Sequence, residues 1–433
     1  MAGLFPPLDS AFAFGKGCYS PNYLEKLAYF TQMIAGFPGA HAVLQRMLPV
    51  KMTLRQVWEQ ARRVGQDLVS RREAEVRAML EGRPPEPAPN APDVLVIAAD
   101  GGRFQDRTRP VGDRWCEYKA AVVYRVTRGE TVRDGKRDDP QPAPHWRYGV
   151  GAEGFKRVEI EGQKVYRDPK PETKSFTATT ETVDRFPLYV ELEAKRRGLL
   201  QANAVCFVGD GGDFVWRTAR EALADRRSGK ARVYEVLDLI HAGEHLAEAA
   251  KAAFGVTAEG VAWLNARFAT LWRGDAEELL KQLEAKAAEL APRPGPEKSA
   301  ARTVWNARAY FEEHRERIRY DVFRRLGLPL TSAHMESGIK QTNQRVKGSE
   351  KQWLLSNAEA MLALRCLALS EDERWDGYFN LLRTGQITLP TRQAPTGKCA
   401  VAATPARRSS SSAQPTSSRI SPSHPKKTPV KMP

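Results

Sequence analysis

The chain has 433 residues, 42% of them hydrophobic, a formal net charge of +15 and five scattered cysteines (Cys18, Cys116, Cys206, Cys366, Cys399). This length suits two or three domains with a full core, no apolar run approaches the roughly 18 residues of a membrane span, and an odd cysteine count without a Cys-x-x-Cys pair argues against a disulfide framework and a zinc knuckle. Such a basic balance favours a polyanionic partner, because releasing counterions from phosphates drives binding, and nucleic acid is the expected one.

At the N-terminus, "MAGLFPPLDSAFAFGKG" lacks a basic n-region and a clean apolar h-region. A cytoplasmic protein is therefore expected. Residues 1–82 are read as a helical N-terminal domain. "SPNYLEKLAYFTQMIAG" opens on Ser-Pro and carries apolar residues at helical spacing, "PGAHAVLQRML" follows, and Thr53 is placed to cap the next helix. A short helix, a tight connection and a capped helix bearing Gln56, Arg62 and Arg63 read as a helix-turn-helix DNA reader or, equally, as a plain helical bundle. Residues 83–92, within "EGRPPEPAPNAPD", form a Pro-rich linker.

Strand patterns take over at residue 93. "DVLVIAAD" is an unbroken apolar run, as expected of a strand buried on both faces. "WCEYKAAVVYRV" (115–126) is the second strand, and residues 127–172 are charged and rich in Gly and Pro, the pattern of a surface excursion. "KSFTATT" gives a third strand, "ETVDRFPLYVELEAKRRG" a helix with Gly198 beyond its end, "AVCFVGD" a fourth strand, and "ARVYEVLDLI" a fifth after a short helix. That order predicts an α/β fold with a mixed β-sheet and flanking helices. From His241 to about Leu326 the chain reads as helical, and "LTSAHMESGIKQTNQRVKGSEKQWLLSNAEAMLALRCLAL" closes the structured part. Residues 393–433 become Ser, Pro, Thr and Lys/Arg, a basic tail expected to be disordered. Seven cations lie there with no acid, leaving +8 on residues 1–393, so the body is basic in its own right.

Two apolar strands run into Asp-Gly-Gly, at Asp100 and at Asp210. A single copy reads as turn chemistry. Two copies on the two most hydrophobic strands read as carboxylates pointing into one crevice, with glycines allowing close approach of a backbone or phosphate. Hard oxygen ligands of this kind suit Mg²⁺ or Mn²⁺. A third acid is expected on the late helix. Over 334–347, Met335, Ile339, Thr342 and Val346 make the apolar face, and Glu336, Lys340, Asn343 and Lys347 run beside it. Glu336 ranks first, with Glu350 and Glu359 competing, although a solvated Glu336–Lys340 pair explains the spacing equally well.

"VIAADGGRFQDR", "VCFVGDGGDFVW", "LDLIHAGEHL" and "HMESGIKQTNQRVKGSEKQWLLSNAEAMLALR" together resemble the landmarks of bacterial insertion-sequence transposases of the DDE type, nearest the ISKra and ISLre kind, across about residues 1–380. The resemblance implies an RNase H-like core in two parts, 93–241 and 327–392, split by a helical insertion domain over 242–326. It implies that Asp100, Asp210 and Glu336 are the catalytic, metal-binding triad. It further implies double-stranded DNA partners, namely the element's terminal inverted repeats and target DNA, and a homo-oligomer working on that DNA. Lys340, Asn343, Arg345 and Lys347 would hold the backbone beside the metal site, and Trp353 would stack on a flipped base or simply pack a helix. Asp106 and Asp213 are secondary acids near the mouth. The Asp238-Leu239-Ile240-His241 segment resembles a family Asp-x-x-His signature, giving Asp238 and His241 a supporting role. His241 and His245 have no cysteine nearby for a zinc site. The excursion at 127–172 and the basic tail depart from the family pattern. Competing readings are a structure-selective nuclease or resolvase on the same fold, and a DNA-binding protein without catalysis. A nucleotide-binding enzyme is disfavoured because neither "DGG" sits in a phosphate-loop context.

Overall fold

The computed structural model describes residues 19–48, 52–128, 144–161, 166–227, 232–291 and 299–389. The Ser/Pro-rich tail lies outside them, as does part of the 127–172 excursion. Helices α1 (Pro21–Met33), α2 (Phe37–Met47) and α3 (Leu54–Leu80) come first. Ser20 caps α1, and Thr53 with Gln56 forms a reciprocal capping box at the start of α3, so two helix starts follow directly from sequence. The proline-rich stretch after α3 is held by backbone contacts, with the Ala88 N–H donating to Arg196 O at 2.7 Å.

Strands β1 (Val94–Asp106) and β2 (Trp115–Val126) form a long antiparallel hairpin. A second hairpin, β3 (Trp146–Val150) and β4 (Phe155–Glu159), follows inside the excursion, and β5 (Lys174–Thr179) pairs antiparallel with β2. Helix α4 (Phe186–Arg196) ends at Gly198, whose φ of +90° is the left-handed cap a glycine supplies. Then come β6 (Ala204–Gly209), α5 (Asp213–Ala222), α6 (Ala224–Arg227) and β7 (Arg232–Leu237). The main sheet runs β5-β2-β1-β6-β7, with β1, β6 and β7 mutually parallel: a mixed α/β layer, as expected. Strand β7 stops at Leu237, three residues short of the sequence expectation, because Asp238 caps the next helix.

Helices α7 (Leu239–Phe254), α8 (Ala258–Trp272), α9 (Ala276–Leu290), α10 (Ala300–Glu313) and α11 (Tyr320–Arg325) follow. The chain closes on α12 (Ala333–Val346), a two-residue strand β8 (Gln352–Trp353) beside β1, α13 (Leu355–Leu369) and α14 (Arg374–Arg383). Helix α12 packs on β1 and β2, α4 on β5 and β2, and α13 along β5 and α3. The α3–α13 crossing is close because position 65 is glycine: a Cβ there would lie 2.2 Å from the Ala360 carbonyl oxygen. Residues from α1 to α3 (Leu24, Leu27, Leu44, Val57, Val64) share one apolar core with the sheet. No helix among the described residues is long and apolar enough to cross a membrane.

Excursion residues do more than decorate a surface. Asn265 of α8 accepts from the Tyr148 N–H and donates to the Tyr148 carbonyl, both at 2.9 Å, so a helix side chain extends the β3 ladder. The hairpin is thereby fixed to α8.

Buried ion pairs join α4 to α14. The Glu193 carboxylate meets Arg374 at 2.9 Å and Arg196 at 3.0 Å. Burial alone would raise this carboxyl, but Arg374 and Arg196 outweigh it and hold the pKa down at about 2. Because the folded value lies below the unfolded one, the stabilisation is present above about pH 4.5 and is lost as pH falls toward 2. Glu193→Gln should lower stability by about 3 kcal/mol at pH 7, and urea titrations should show that deficit shrinking between pH 4.5 and 2.

Candidate active site

The crevice is made by strands that part company. Strand β6 pairs with β1 only from Val94↔Ala204 to Ala98↔Val208, while β2 accompanies β1 as far as Gln105. Strand β8 joins the same edge of β1 only at Gln105 and Asp106. Between Ala98 and Gln105 that edge has no strand partner, and continuing the parallel register two residues sets Asp100 opposite Asp210. Strand β6 ends at Gly209, as "AVCFVGD" predicts, but β1 does not end at its acid. It runs on through Asp100-Gly101-Gly102 to Asp106, because β2 supplies a full ladder.

The glycines serve a purpose other than the one expected of them. Gly102 faces Tyr118 across the hairpin, and a Cβ there would fall 2.1 Å from the Tyr118 ring. The bare backbone lets that ring cross β1 so that its hydroxyl donates to Asn343 Oδ1 of α12 at 3.0 Å. Gly211, at φ +102°, lies under Tyr310 of α10, whose ring a Cβ would meet at 2.7 Å, and the Tyr310 hydroxyl donates to the Asp210 carbonyl at 2.9 Å. One glycine of each pair thus makes room for a tyrosine, so the space beside Gly102 and Gly211 is already filled.

Glu336 stands on the first turn of α12, and two buried carboxylates position that helix. Asp238 caps α7 by accepting from the His241 N–H at 2.9 Å, and its other oxygen accepts from the Ser332 N–H at 2.5 Å. The Asp-x-x-His segment is thus, locally, a helix cap with histidine at the third helical position. Asp168 accepts from the Leu330 and Thr331 N–H groups at 2.9 and 3.0 Å and from the Thr331 hydroxyl at 2.6 Å. The segment entering α12 is therefore clamped from both sides.

The acids then share one electrostatic field. Burial pushes the Asp100 carboxyl up to about 6 against a 2.6 Å hydrogen bond from the Gly101 N–H; the charges of Asp210 and Glu336 push it further, and His241 opposes them. Asp210 Oδ1 accepts from the Gly212 N–H at 3.0 Å, and Glu336 pairs with Lys340 at 3.6 Å. Among the described residues, no three His, Cys, Asp or Glu side chains are gathered closely enough to hold a metal ion as they stand. The triad shares a field and has no formed coordination sphere.

The remaining sequence candidates divide. Lys340 and Lys347 are exposed. Asn343 is taken by Tyr118. Arg345 does not face DNA: it is 2% exposed, lies 3.8 Å over the Phe37 ring, and burial pushes its pKa down to about 9. Its place beside Thr342 and Val346 on the inward stripe could have been read from helical spacing. Arg62 and Arg63 are half-buried on α3, Arg62 beside Trp58 and Arg63 bonded to Gln60 at 2.9 Å. Trp353 is buried and donates to the Val346 carbonyl, so it packs a helix end. Asp106 is buried in a turn with Thr108, and Asp213 is exposed. Glu350 is exposed, whereas Glu359 is held by Arg72 at 2.5 Å and by Thr179 and Thr180, which removes it from competition with Glu336. His245 stacks on Tyr310 at 3.8 Å, and burial with His241 and His314 lowers its pKa to about 4. Asp168, Tyr118 and Tyr310 escaped the sequence reading because nothing local in sequence ties them to the site.

The chain matches no known family model and no characterised protein.

The raised Asp100 pKa makes the site costly in stability. Its folded value lies above the ordinary 3.8, so the protein loses stability as pH rises from about 4 to 6. Asp100→Asn in chelator at pH 7.5 should gain roughly 1–2 kcal/mol after allowance for water access, and thermal melts should show that gain vanish near pH 4. Asp238→Ala should instead lose about 2 kcal/mol at either pH.

Proposed function

We propose that this chain is a DNA transposase of the insertion-sequence DDE type, which binds terminal inverted repeats, nicks DNA and joins the freed 3′-hydroxyl to target DNA. One observation carries the reading: Asp210 and Glu336, far from Asp100 in sequence, bear on its charge where β6 leaves β1. The sheet order β5-β2-β1-β6-β7, with three antiparallel strands and then two parallel ones, supports an RNase H-like core. Helix α12, carrying Glu336 over β1, supports it as well.

The donor set suits Mg²⁺ or Mn²⁺, being three carboxylates whose mutual repulsion a divalent cation would relieve. Asp100, Asp210 and Glu336 would hold it. When bound, such ions supply activation of the attacking oxygen and charge stabilisation at the leaving oxygen of an in-line displacement. Asp238 and Asp168 orient the helix that presents Glu336. Lys340 and Lys347 are exposed on that helix and at its end, where they would neutralise the DNA backbone without reading sequence. Two element ends must be brought together for joining, so a homo-oligomer on DNA is part of the proposal.

The test uses short inverted repeats drawn from DNA flanking the gene, incubated with the full chain and Mg²⁺. The parent should give both an end nick and a joined product. Asp100→Asn, Asp210→Asn and Glu336→Gln should each reduce both by about 10³-fold or more. Nicking of branched DNA without joining would replace the transposase with a structure-selective nuclease. A Glu336→Gln protein as fast as its parent would remove that residue from the triad.

A further inference from the structure

We infer that the distal half of the β1–β2 hairpin is a DNA-contacting arm, with Trp115 as a stacking platform for a base of the strand that leads to the scissile phosphate. The inference rests on the transposase reading for the identity of that strand.

Beyond Asp100 the hairpin outruns β5, β6 and β7, with the two-residue β8 beside it at Gln105 and Asp106. Its residues Gly102, Phe104 and Tyr118 point toward α12 and are buried. The opposite face carries Arg103, Trp115 and Glu117, all exposed. Of the nine tryptophans, Trp115 is the exposed one among the described residues, at 45%. At the tip, Val111 is 84% exposed. An indole and an apolar tip left in water cost free energy unless something covers them.

Charge says what covers them. Residues 101–119 hold five cations (Arg103, Arg107, Arg109, Arg114, Lys119) against three acids. Of these, Arg103 pairs with Glu117 at 3.5 Å and Arg109 with the buried Asp106 at 3.8 Å, which leaves Arg107, Arg114 and Lys119 against Asp113. A flat aromatic ringed by arginines suits a nucleic acid strand, with guanidiniums on phosphates and the ring against a base. A second protein chain would prefer fewer uncompensated cations.

Distance adds a constraint. Trp115 pairs with Gln105, five residues past Asp100 on β1. At roughly 3.4 Å per strand residue, that is about 17 Å along β1, and Trp115 lies on the sheet face opposite Asp100, so this is the least separation of the two. A nucleic acid strand that reaches both would cross the open edge of β1 between Ala98 and Gln105.

The test measures DNA binding by the full chain in Mg²⁺-free buffer, so that it does not depend on cleavage. Trp115→Ala should weaken binding of a short labelled duplex with a single-stranded flank about tenfold, while Trp115→Phe retains most of the affinity. Arg107→Gln should reduce the slope of log affinity against log salt by about one. A 2-aminopurine scanned along the flank should be quenched most at one position, and this quenching should disappear in Trp115→Ala. Equal affinity and equal quenching in Trp115→Ala and the parent would overturn the arm even if the parent transposes. Loss of self-association without loss of DNA affinity would also overturn it, in favour of a second copy. If the parent binds DNA through Trp115 but never nicks, the arm stands and the transposase reading falls.

Discussion

Everything at the candidate site depends on where β6 stops following β1. Five residue pairs hold the two strands together, and then Asp210 turns away while β1 continues under β2 alone. A strand buried on both faces has to satisfy its backbone through its neighbours. Here one edge is paired continuously, and the other reopens for the few residues that include Asp100. Parallel register, set by the core residues Val94 to Ala98 and Ala204 to Val208, is what brings two acids 110 positions apart to the same level. A slip of one residue would turn one of them to the opposite face.

The third acid is held by a different device. Glu336 lies on a helix whose entry is fixed by two other carboxylates. Asp238 ties α7 to Ser332, and Asp168 ties the returning excursion to Leu330 and Thr331. The Tyr166 hydroxyl adds a 2.6 Å bond to the Leu328 carbonyl. The tyrosines extend the same logic. Tyr118 joins the hairpin to α12, and Tyr310 joins α10 to the Asp210 backbone. The helices over 242–326 are thus coupled to the crevice through α7 and α10, so disturbing the insertion would be felt at the acids.

Much of this was legible in sequence, and the failures have physical causes. Unbroken apolar runs gave β1 and β6, and Thr53 and Gly198 marked a helix start and a helix end, because these signals are local. The pairing of the two Asp-Gly-Gly copies was legible because both end apolar runs of the same kind. The purpose of their glycines was not, since Tyr118 and Tyr310 arrive from elsewhere in the chain. Arg345 was misread because its charge outweighed its position on the buried stripe of α12. Asp168 was hidden within a stretch whose composition spoke only of solvent.

Net charge proves a poor guide to the surface field. Several cations in the +8 body are internal: Arg345 and Arg365 are buried beside the N-terminal helices, Arg72 is tied to Glu359, and Arg324 lies over Trp272. A cation inside the core contributes little to attraction at a distance where an acid matches its charge, as Glu359 does for Arg72. Burial lowers the pKa of both Arg345 and Arg365, each partly through the cost of losing water, and Arg365 lowers Arg345 further. Exposed cations flank this part of β1, Lys340 and Lys347 on the α12 side and Arg103, Arg107 and Arg109 on the hairpin. A strand of DNA lying between them would meet positive charge on both flanks and three carboxylates in the middle. That arrangement favours a phosphate at the acids only when a cation is there to receive it.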